Sequence, residues 1–227
     1  MNLNEGKINI YSSFLFLRLK SEFRLLVSNE KIAAKQEFEN LVGNCQEKIF
    51  LRTYFLTGLK KSCDILFWRM SEDLQFLQEI CSRTFSSGIG KYFEQTDSYI
   101  GMYKAPSETK DLFSFMQNNF GIYKYLLIHP LIKSQIWYEM THEEREALIS
   151  ERGKVLSSFG DIKENFFYSY GIDDQDMVVT RESKDLEKLV EATKELKKQR
   201  IKNYTLSDRP VYLAIGRDLR DILDGLS

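Results

Sequence analysis

Hydrophobic and polar residues along the first half of the chain follow two periods, one typical of strands and one typical of helices. Apolar and aromatic runs at about 8–19 and 48–57 have the composition of buried strands. Between them, a helix is expected from near Asn29, which corresponds in the second half to the helix start at Thr141. A strand at about 64–70 leads into a second helix, and another strand follows at about 96–104. The predicted order is therefore β-α-β-β-α-β.

The second half repeats this order. A helix at about 141–158 begins with a capping box, in which Thr141 and Glu144 satisfy each other's backbone N–H groups. The pattern predicts further strands at about 120–131, 162–170 and 209–217. The two halves are therefore expected to have the same topology.

An internal repeat supports this correspondence. Residues 64–80 align without gaps on residues 176–192 and are identical at seven of the seventeen positions. The identical pairs are Asp64/Asp176, Arg69/Arg181, Ser71/Ser183, Asp73/Asp185, Leu74/Leu186, Leu77/Leu189 and Glu79/Glu191. We expect Ser71 and Ser183 to be the N-caps of the following helices, each with an aspartate in the first turn.

The order β-α-β-β-α-β is that of the ferredoxin-like motif, an antiparallel sheet with both helices on one face. The predicted fold class is α+β, with two ferredoxin-like halves in tandem that form a dimeric α+β barrel within one chain and so bury the second faces of their sheets. The predicted boundaries are 1–104 for the first half, 105–119 for a linker and 120–227 for the second half.

The amino-acid composition limits the kinds of molecule that the protein is expected to bind. The chain has 32 Lys and Arg residues against 33 Asp and Glu residues, so it lacks the positive charge excess of a nucleic-acid binder. No apolar run is long enough to span a bilayer, and three cysteines without a CxxC pair suit a reducing compartment. We expect a cytoplasmic protein without nucleic-acid or membrane partners. Two histidines exclude a site built from several histidines.

Two segments of the second half carry a family resemblance. IHPLIKSQIWYEMTHEEREALISERG (128–153) and YSYGIDDQDMVVTRESKDLEKLV (168–190) resemble the chlorite dismutase-like family, which includes the coproheme decarboxylases. The resemblance is best over about 120–217 and weaker over the first half. It implies haem as cofactor, oxidoreductase or decarboxylase chemistry, and assembly as a homo-oligomer, commonly a pentamer.

Carried over residue by residue, the resemblance places few of the family's haem ligands here. The axial histidine position falls on Arg152, whose protonated guanidinium group has no lone pair for iron. The glutamate that supports that histidine corresponds to Ile201. The distal residue, an arginine in chlorite dismutases and a glutamine in coproheme decarboxylases, corresponds to Glu164, or to Asn165 if the alignment gap lies elsewhere. Lys133 matches a lysine of the haem pocket, while His129 replaces the tyrosine of the decarboxylases and is a remote substitute ligand for iron. No separate metal ion is expected.

The residues themselves leave two interpretations open. Arg152 and Lys133 can bind a ligand carboxylate through charge-assisted hydrogen bonds, or Arg152 can form a salt bridge with Glu164 or Glu151. The first interpretation predicts a haem or tetrapyrrole binding protein, or an oxidoreductase whose usual catalytic residues are lost. The second predicts a haem-free relative with a structural role or another, small anionic ligand. Whether the protein is an enzyme is left open by both.

Overall fold

The secondary structure follows the predicted order in both halves of the chain. A computed structural model describes residues 7–226, so the ends of the predicted halves, residues 1–6 and 227, lie outside the described residues. Contacts divide the chain into two units. The first consists of two segments, the residues up to Ile122 and those from Ala214 onward, and the second is Tyr123–Leu213. The strands are β1 (Lys7–Leu19), β2 (Phe50–Phe55), β3 (Ile65–Ser71), β4 (Phe93–Pro106), β5 (Tyr125–Lys133), β6 (Lys163–Tyr168), β7 (Met177–Ser183), β8 (Thr205–Ser207) and β9 (Tyr212–Gly216). The helices are α1 (Ser28–Gln46), α2 (Leu74–Ser86), α3 (Leu112–Asn119), α4 (Gln135–Glu139), α5 (His142–Ser157), α6 (Leu186–Lys197) and α7 (Leu219–Gly225).

The first unit is an antiparallel sheet in the ferredoxin-like order β4-β1-β3-β2. Side chains alternate between the two faces of a strand, and one face of this sheet packs against α1 and α2. The core there is aliphatic and aromatic, and it includes Leu15, Leu19, Phe38, Leu51 and Phe67. This arrangement confirms the predicted ferredoxin-like topology.

The opposite face of the first sheet carries an aromatic cluster. The Trp68 ring centroid lies 5.3 Å from that of Phe14 and 6.0 Å from that of Phe120. Phe120 follows α3, and Phe115 within α3 lies 6.1 Å from it. The segment 105–119, expected to be a linker, thus includes a helix, because its aromatic residues pack on a face that the two helices of the motif leave bare.

The second unit has the matching antiparallel order β6-β7-β5-β8. The expected strand at 209–217 is present as β9, whose Ile215 and Gly216 pair with Phe55 and Tyr54 of β2. The short strand β8, which was not predicted, pairs with β5. Within residues 7–226, no helix is long and apolar enough to cross a lipid bilayer.

The helix caps confirm one prediction and correct another. Thr141 and Glu144 form the predicted capping box at the start of α5. The N-caps of α2 and α6 are Asp73 and Asp185, so the expectation for Ser71 and Ser183 was wrong. Each serine hydroxyl instead accepts a hydrogen bond from the backbone N–H of the capping aspartate, because the aspartate is two residues nearer the helix and reaches its free N–H groups.

Candidate functional site

The register of the second sheet aligns its polar and aromatic side chains in rows across β6, β7 and β5. Paired residues of neighbouring strands project on the same face, and every second residue along a strand joins the next row. The three rows that face α5 and α6 are Glu164–Arg181–Leu127, Phe166–Val179–His129 and Tyr168–Met177–Leu131. Two of the four predicted site residues, Glu164 and His129, therefore lie in adjacent rows of one face.

A cavity of about 780 Å³ lies between this face and the helices of the second unit. Its volume is within the range of small-molecule and cofactor sites. Most of its lining is apolar or aromatic, from Leu127 and Met177 on the sheet to Ile149 and Leu196 on the helices. The aromatic lining residues are Trp137, Phe166, Tyr168 and Tyr170. His129, Lys133 and Arg152 also line the cavity, and Glu164 lies behind the arginines rather than on the wall.

Arg152 and Glu164 form a bidentate ion pair. Arg152 Nε donates to Glu164 Oε2 at 2.8 Å, and Arg152 Nη2 donates to Glu164 Oε1 at 2.5 Å. Arg181 Nε donates to the same Oε1, while Arg181 Nη1 donates to Thr193 on α6. The Glu164 side chain is only 5% exposed. Of the two partners that the sequence allowed for Arg152, the structure selects Glu164, and Glu151 pairs instead with Arg200 at the surface.

Burial alone would raise the pKa of the Glu164 carboxyl group, but the hydrogen bonds and positive charges of Arg152 and Arg181 outweigh burial and hold that pKa below its ordinary value. Glu164 is therefore ionised at neutral pH. Its single negative charge faces two guanidinium groups, so this group of three side chains keeps one net positive charge beside the cavity.

His129 is a buried, neutral imidazole in the cavity wall. Burial, together with the nearby positive charge of Arg181, lowers the pKa of His129 to about 3. A neutral imidazole retains a lone pair, which is the form that binds iron. His142, the other histidine, is exposed at the first turn of α5.

Two lysines line the cavity wall: Lys133 lies near α4, and Lys202 lies in the chain that follows α6. Lys133 Nζ lies 4.1 Å from the ring centroid of Trp137, and burial with the charges of Arg152 and Lys202 lowers the pKa of Lys133 to about 8. Lys202 binds Asp208 at 2.6 Å. Cationic groups, together with Asp208, thus border a mainly apolar space, which suits a ligand with a flat apolar body and carboxylates.

The sequence interpretation did not include several residues of this site. Arg181 was noted as part of the internal repeat, but its role as the second partner of Glu164 was not predicted. Tyr168 and Tyr170 stack with centroids 6.1 Å apart, and Tyr138 packs edge-on against Tyr170. Alternation along β7 would have placed Arg181 on the face of Met177 and Val179, but the tyrosine contacts depend on a turn that has no periodic signal.

The corresponding space of the first unit is filled. Where the second sheet has His129 opposite Val179, the first has Leu15 opposite Phe67, and Leu51 lies opposite Arg69 at the place of Glu164. These leucines belong to the packed core under α1 and α2. The same fold therefore holds a hydrophobic core in one unit and a cavity in the other.

These observations define a class of protein: two ferredoxin-like halves in one chain, with a ligand-sized cavity between the sheet and helices of the second. The family model described as chlorite dismutase matches residues 31–217. The chain belongs to the chlorite dismutase family.

Individual relatives agree with this assignment. The coproheme decarboxylase of Mycolicibacterium smegmatis is 20% identical over 162 residues, which cover 70% of this chain and 69% of that protein. The chlorite dismutase of Candidatus Nitrospira defluvii, solved in complex with imidazole, superposes with a TM-score of 0.85 at 21% identity over 96% of this chain and 94% of that one. A putative chlorite dismutase superposes with a TM-score of 0.83 at 20% identity and covers 96% of this chain. The predicted two-ferredoxin-like fold is confirmed.

The residues of the cavity can be tested against haem. Its volume, its aromatic walls and its bordering cations fit a planar tetrapyrrole with carboxylate groups. Arg152, at the position expected for the axial histidine, is held by Glu164 and offers no lone pair. His129 is the imidazole in the described lining. The aromatic walls therefore fit the porphyrin body, and the cationic side chains fit its carboxylates. His129 is the candidate ligand for iron.

Proposed function

We propose that this protein binds a haem-type tetrapyrrole in the cavity of its second unit. The observation that carries the proposal is the contrast between the two units: a packed hydrophobic core in the first is replaced in the second by a cavity of about 780 Å³ with aromatic walls and cationic borders. Filling such a space with a matching ligand buries apolar surface, which is the main driving force for binding.

Each part of the lining has a separate role in this proposal. Trp137, Phe166 and Tyr168 contact the apolar faces of the ring. Lys133 and Arg209 hold carboxylates by charge-assisted hydrogen bonds. Haem, when bound, supplies an iron centre capable of redox chemistry, and the neutral imidazole of His129 would hold that iron.

Titration with hemin and with metal-free coproporphyrin tests the proposal. Both are expected to bind with one-to-one stoichiometry, seen as a shifted Soret band for hemin and as enhanced fluorescence for the porphyrin. His129→Ala is expected to change the Soret band of hemin and to leave coproporphyrin binding intact. His142→Ala removes the exposed histidine and is the matched control. The proposal is wrong if neither compound binds at micromolar concentration.

A second candidate function is a haem-free, ligand-binding role. It is favoured by the bidentate Arg152–Glu164 pair, because Arg152 stands at the position that the family resemblance implies for the axial histidine. This function predicts that coproporphyrin or a smaller carboxylate binds while hemin gains no iron ligand. An unshifted hemin spectrum in the presence of tight coproporphyrin binding would select it.

Chlorite decomposition is not part of the proposed function. The family resemblance implies a distal arginine and an axial histidine for that reaction, and it places Glu164 and Arg152 at those two positions of this chain. Purified protein supplied with hemin is expected to release no oxygen from chlorite above the rate of free hemin. Oxygen release that His129→Ala abolishes would contradict this expectation.

A further inference from the structure

A groove of about 850 Å³ lies within the first unit, where β1 leads into the 3-10 helix Ser21–Leu25 and β2 turns into β3. Its lining is mostly polar and charged, unlike the apolar lining of the cavity in the second unit. Five cationic side chains line the groove against three acidic ones, an excess of two positive charges in a chain whose formal net charge is −1. The cations are Arg18, Lys20, Arg24, Lys60 and Lys61, and the acids are Glu22, Asp64 and Glu94.

Two of the three acidic side chains are already engaged by the fold. Asp64 Oδ2 accepts a hydrogen bond from the backbone N–H of Leu19 at 2.9 Å, and Asp64 Oδ1 accepts one from the Thr57 hydroxyl at 3.0 Å. Glu94 lies directly opposite Arg18 in the pairing of β1 with β4, so these two opposite charges adjoin. The remaining cations therefore outnumber the acid that is left to face them.

Three cations of the groove, Lys20, Arg24 and Lys61, form no ion pair with any other residue between 7 and 226. All three are exposed. Their backbone is nevertheless held in place: the N–H of Lys20 donates to the carbonyl of Tyr92 at 2.9 Å, and the turn that leads to Lys61 is closed by hydrogen bonds to the carbonyl of Leu56. An anion that binds these cations therefore has little backbone to order.

The second unit has the same turn with the opposite charge. The N–H of Lys60 donates to the carbonyl of Leu56 at 3.1 Å, and the N–H of Asp173 donates to that of Ser169 at 3.1 Å. In both turns the glycine two residues before this donor has a positive φ. At matched positions the two turns carry the pairs Lys60/Asp173 and Lys61/Asp174. The turn therefore does not require lysines in order to fold, which favours a role for them in binding.

We propose that this groove binds a small molecule with two or more linked phosphate groups, such as a nucleoside diphosphate or triphosphate. The planar guanidinium group of Arg24 suits two oxygens of one phosphate, while Lys20 and Lys61 supply point charges for the next. The volume of the groove is within the range of small-molecule sites.

The charge of the whole chain favours a compact ligand over a long polyanion. Because the formal net charge is −1, the positive excess is local to the groove, whereas a nucleic acid needs cations along a longer path. The groove is lined by residues of the first unit alone, so this site does not depend on tetrapyrrole binding in the second unit.

Isothermal titration calorimetry of the full chain with ATP, inorganic tripolyphosphate and orthophosphate tests the proposal. ATP and tripolyphosphate are expected to bind with one-to-one stoichiometry, to compete with each other, and to bind more weakly as the salt concentration rises, because the cations are exposed. Orthophosphate is expected to bind at least about tenfold more weakly, since a single phosphate contacts fewer of the cations.

The double variant Lys20→Gln/Lys61→Gln is expected to weaken tripolyphosphate binding at least about fivefold, since each exposed charge contact contributes a factor of about two to three. Lys48→Gln/Lys110→Gln is the matched control, because it removes two exposed lysines of the same unit that lie outside the groove. The control is expected to retain the affinity of the wild type. Both double variants are expected to bind coproporphyrin as the wild type does, so failure of this proposal is distinguishable from failure of the proposed tetrapyrrole site.

Absence of tripolyphosphate binding at millimolar concentration, or equal weakening by the two double variants, overturns the proposal. Binding of orthophosphate as tight as that of tripolyphosphate overturns the assignment to linked phosphates. Binding of an oligoglutamate peptide as tight as that of tripolyphosphate also overturns it, and would indicate an acidic protein partner instead.

Discussion

Glu164 shows at the scale of one residue how the site is held together. Its carboxylate lies between Arg152 and Arg181, and all three side chains are at least 85% buried. The attraction between these charges offsets the cost of removing them from water only while the group is complete. Loss of one member leaves the others buried and unpaired.

Glu164→Gln is expected to lower the free energy of unfolding by about 3 kcal/mol at pH 7, because two buried arginines lose their counter-charge. Chemical denaturation measures this change. Because the pKa of Glu164 is depressed in the folded protein, its stabilising contribution is present above the ordinary value of 4.5 and is lost as the pH falls through the folded pKa. The difference between wild type and variant should therefore shrink in acid.

Glu151→Gln is the matched control, since it breaks the surface pair with Arg200 and should change stability little. Equal destabilisation by the two variants would contradict a special role for the buried group.

The burial of His129 is expected to cause a second effect of pH on stability. Because burial lowers its pKa from 6.5 to about 3, the unfolded chain binds a proton below pH 6.5 that the folded chain does not. The contribution of His129 is fully present above pH 6.5 and is lost as the pH falls, at about 1.4 kcal/mol per pH unit. His129→Gln should make the decline in stability between about pH 6.5 and about pH 5 shallower.

Denaturation series across this range provide the measurement, and His142→Gln should follow the wild type. Parallel declines for wild type and His129→Gln would contradict a buried, neutral His129.

At the scale of elements, glycine positions separate open helix surface from close packing. Gly43 lies within α1, and a Cβ atom there would meet nothing within 4 Å. Gly90 lies in a short 3-10 helix, Gly88–Tyr92, where a Cβ atom would be 1.7 Å from the carbonyl oxygen of Thr84. Glycine is required only at the second position, because backbone atoms of α2 approach it closely.

Gly43→Ala is expected to stabilise the protein by about 0.8 kcal/mol, since alanine has the better helix propensity. Gly90→Ala is expected to destabilise it by about 2 kcal/mol or more, because the backbone must move to admit the methyl group. Thermal melts of the pair provide the measurement. A stabilising Gly90→Ala would show that α2 and the 3-10 helix do not pack as described.

Exposed apolar side chains are consistent with the predicted homo-oligomer. Several large apolar side chains are strongly exposed on the single chain, among them Leu25 at 84% and Leu206 at 74%. Light scattering after size exclusion is expected to give the mass of several chains, and a pentamer is the expected number. Association would bury such residues and protect exposed strand edges. A monomer at micromolar concentration would contradict this prediction.

The order of the elements and the kinds of side chain available to the site follow from the amino-acid sequence alone. Period-two and helical patterns, the capping box at Thr141 and the repeat of residues 64–80 in 176–192 are local signals, so the order of elements could be predicted from them. The family resemblance rests on short segments and likewise needs no tertiary contacts. Arg152 and Glu164 were predicted as site residues on that ground.

The partners that these residues contact follow from the folded chain and not from a local sequence pattern. Strand register brings Arg181 beside Glu164 and leaves Arg69 beside Leu51, although the repeat makes the two arginines look alike in sequence. Packing likewise decided that one unit encloses a core and the other a cavity. Register and packing depend on residues distant in the chain, whose combined volumes and charges no local pattern records.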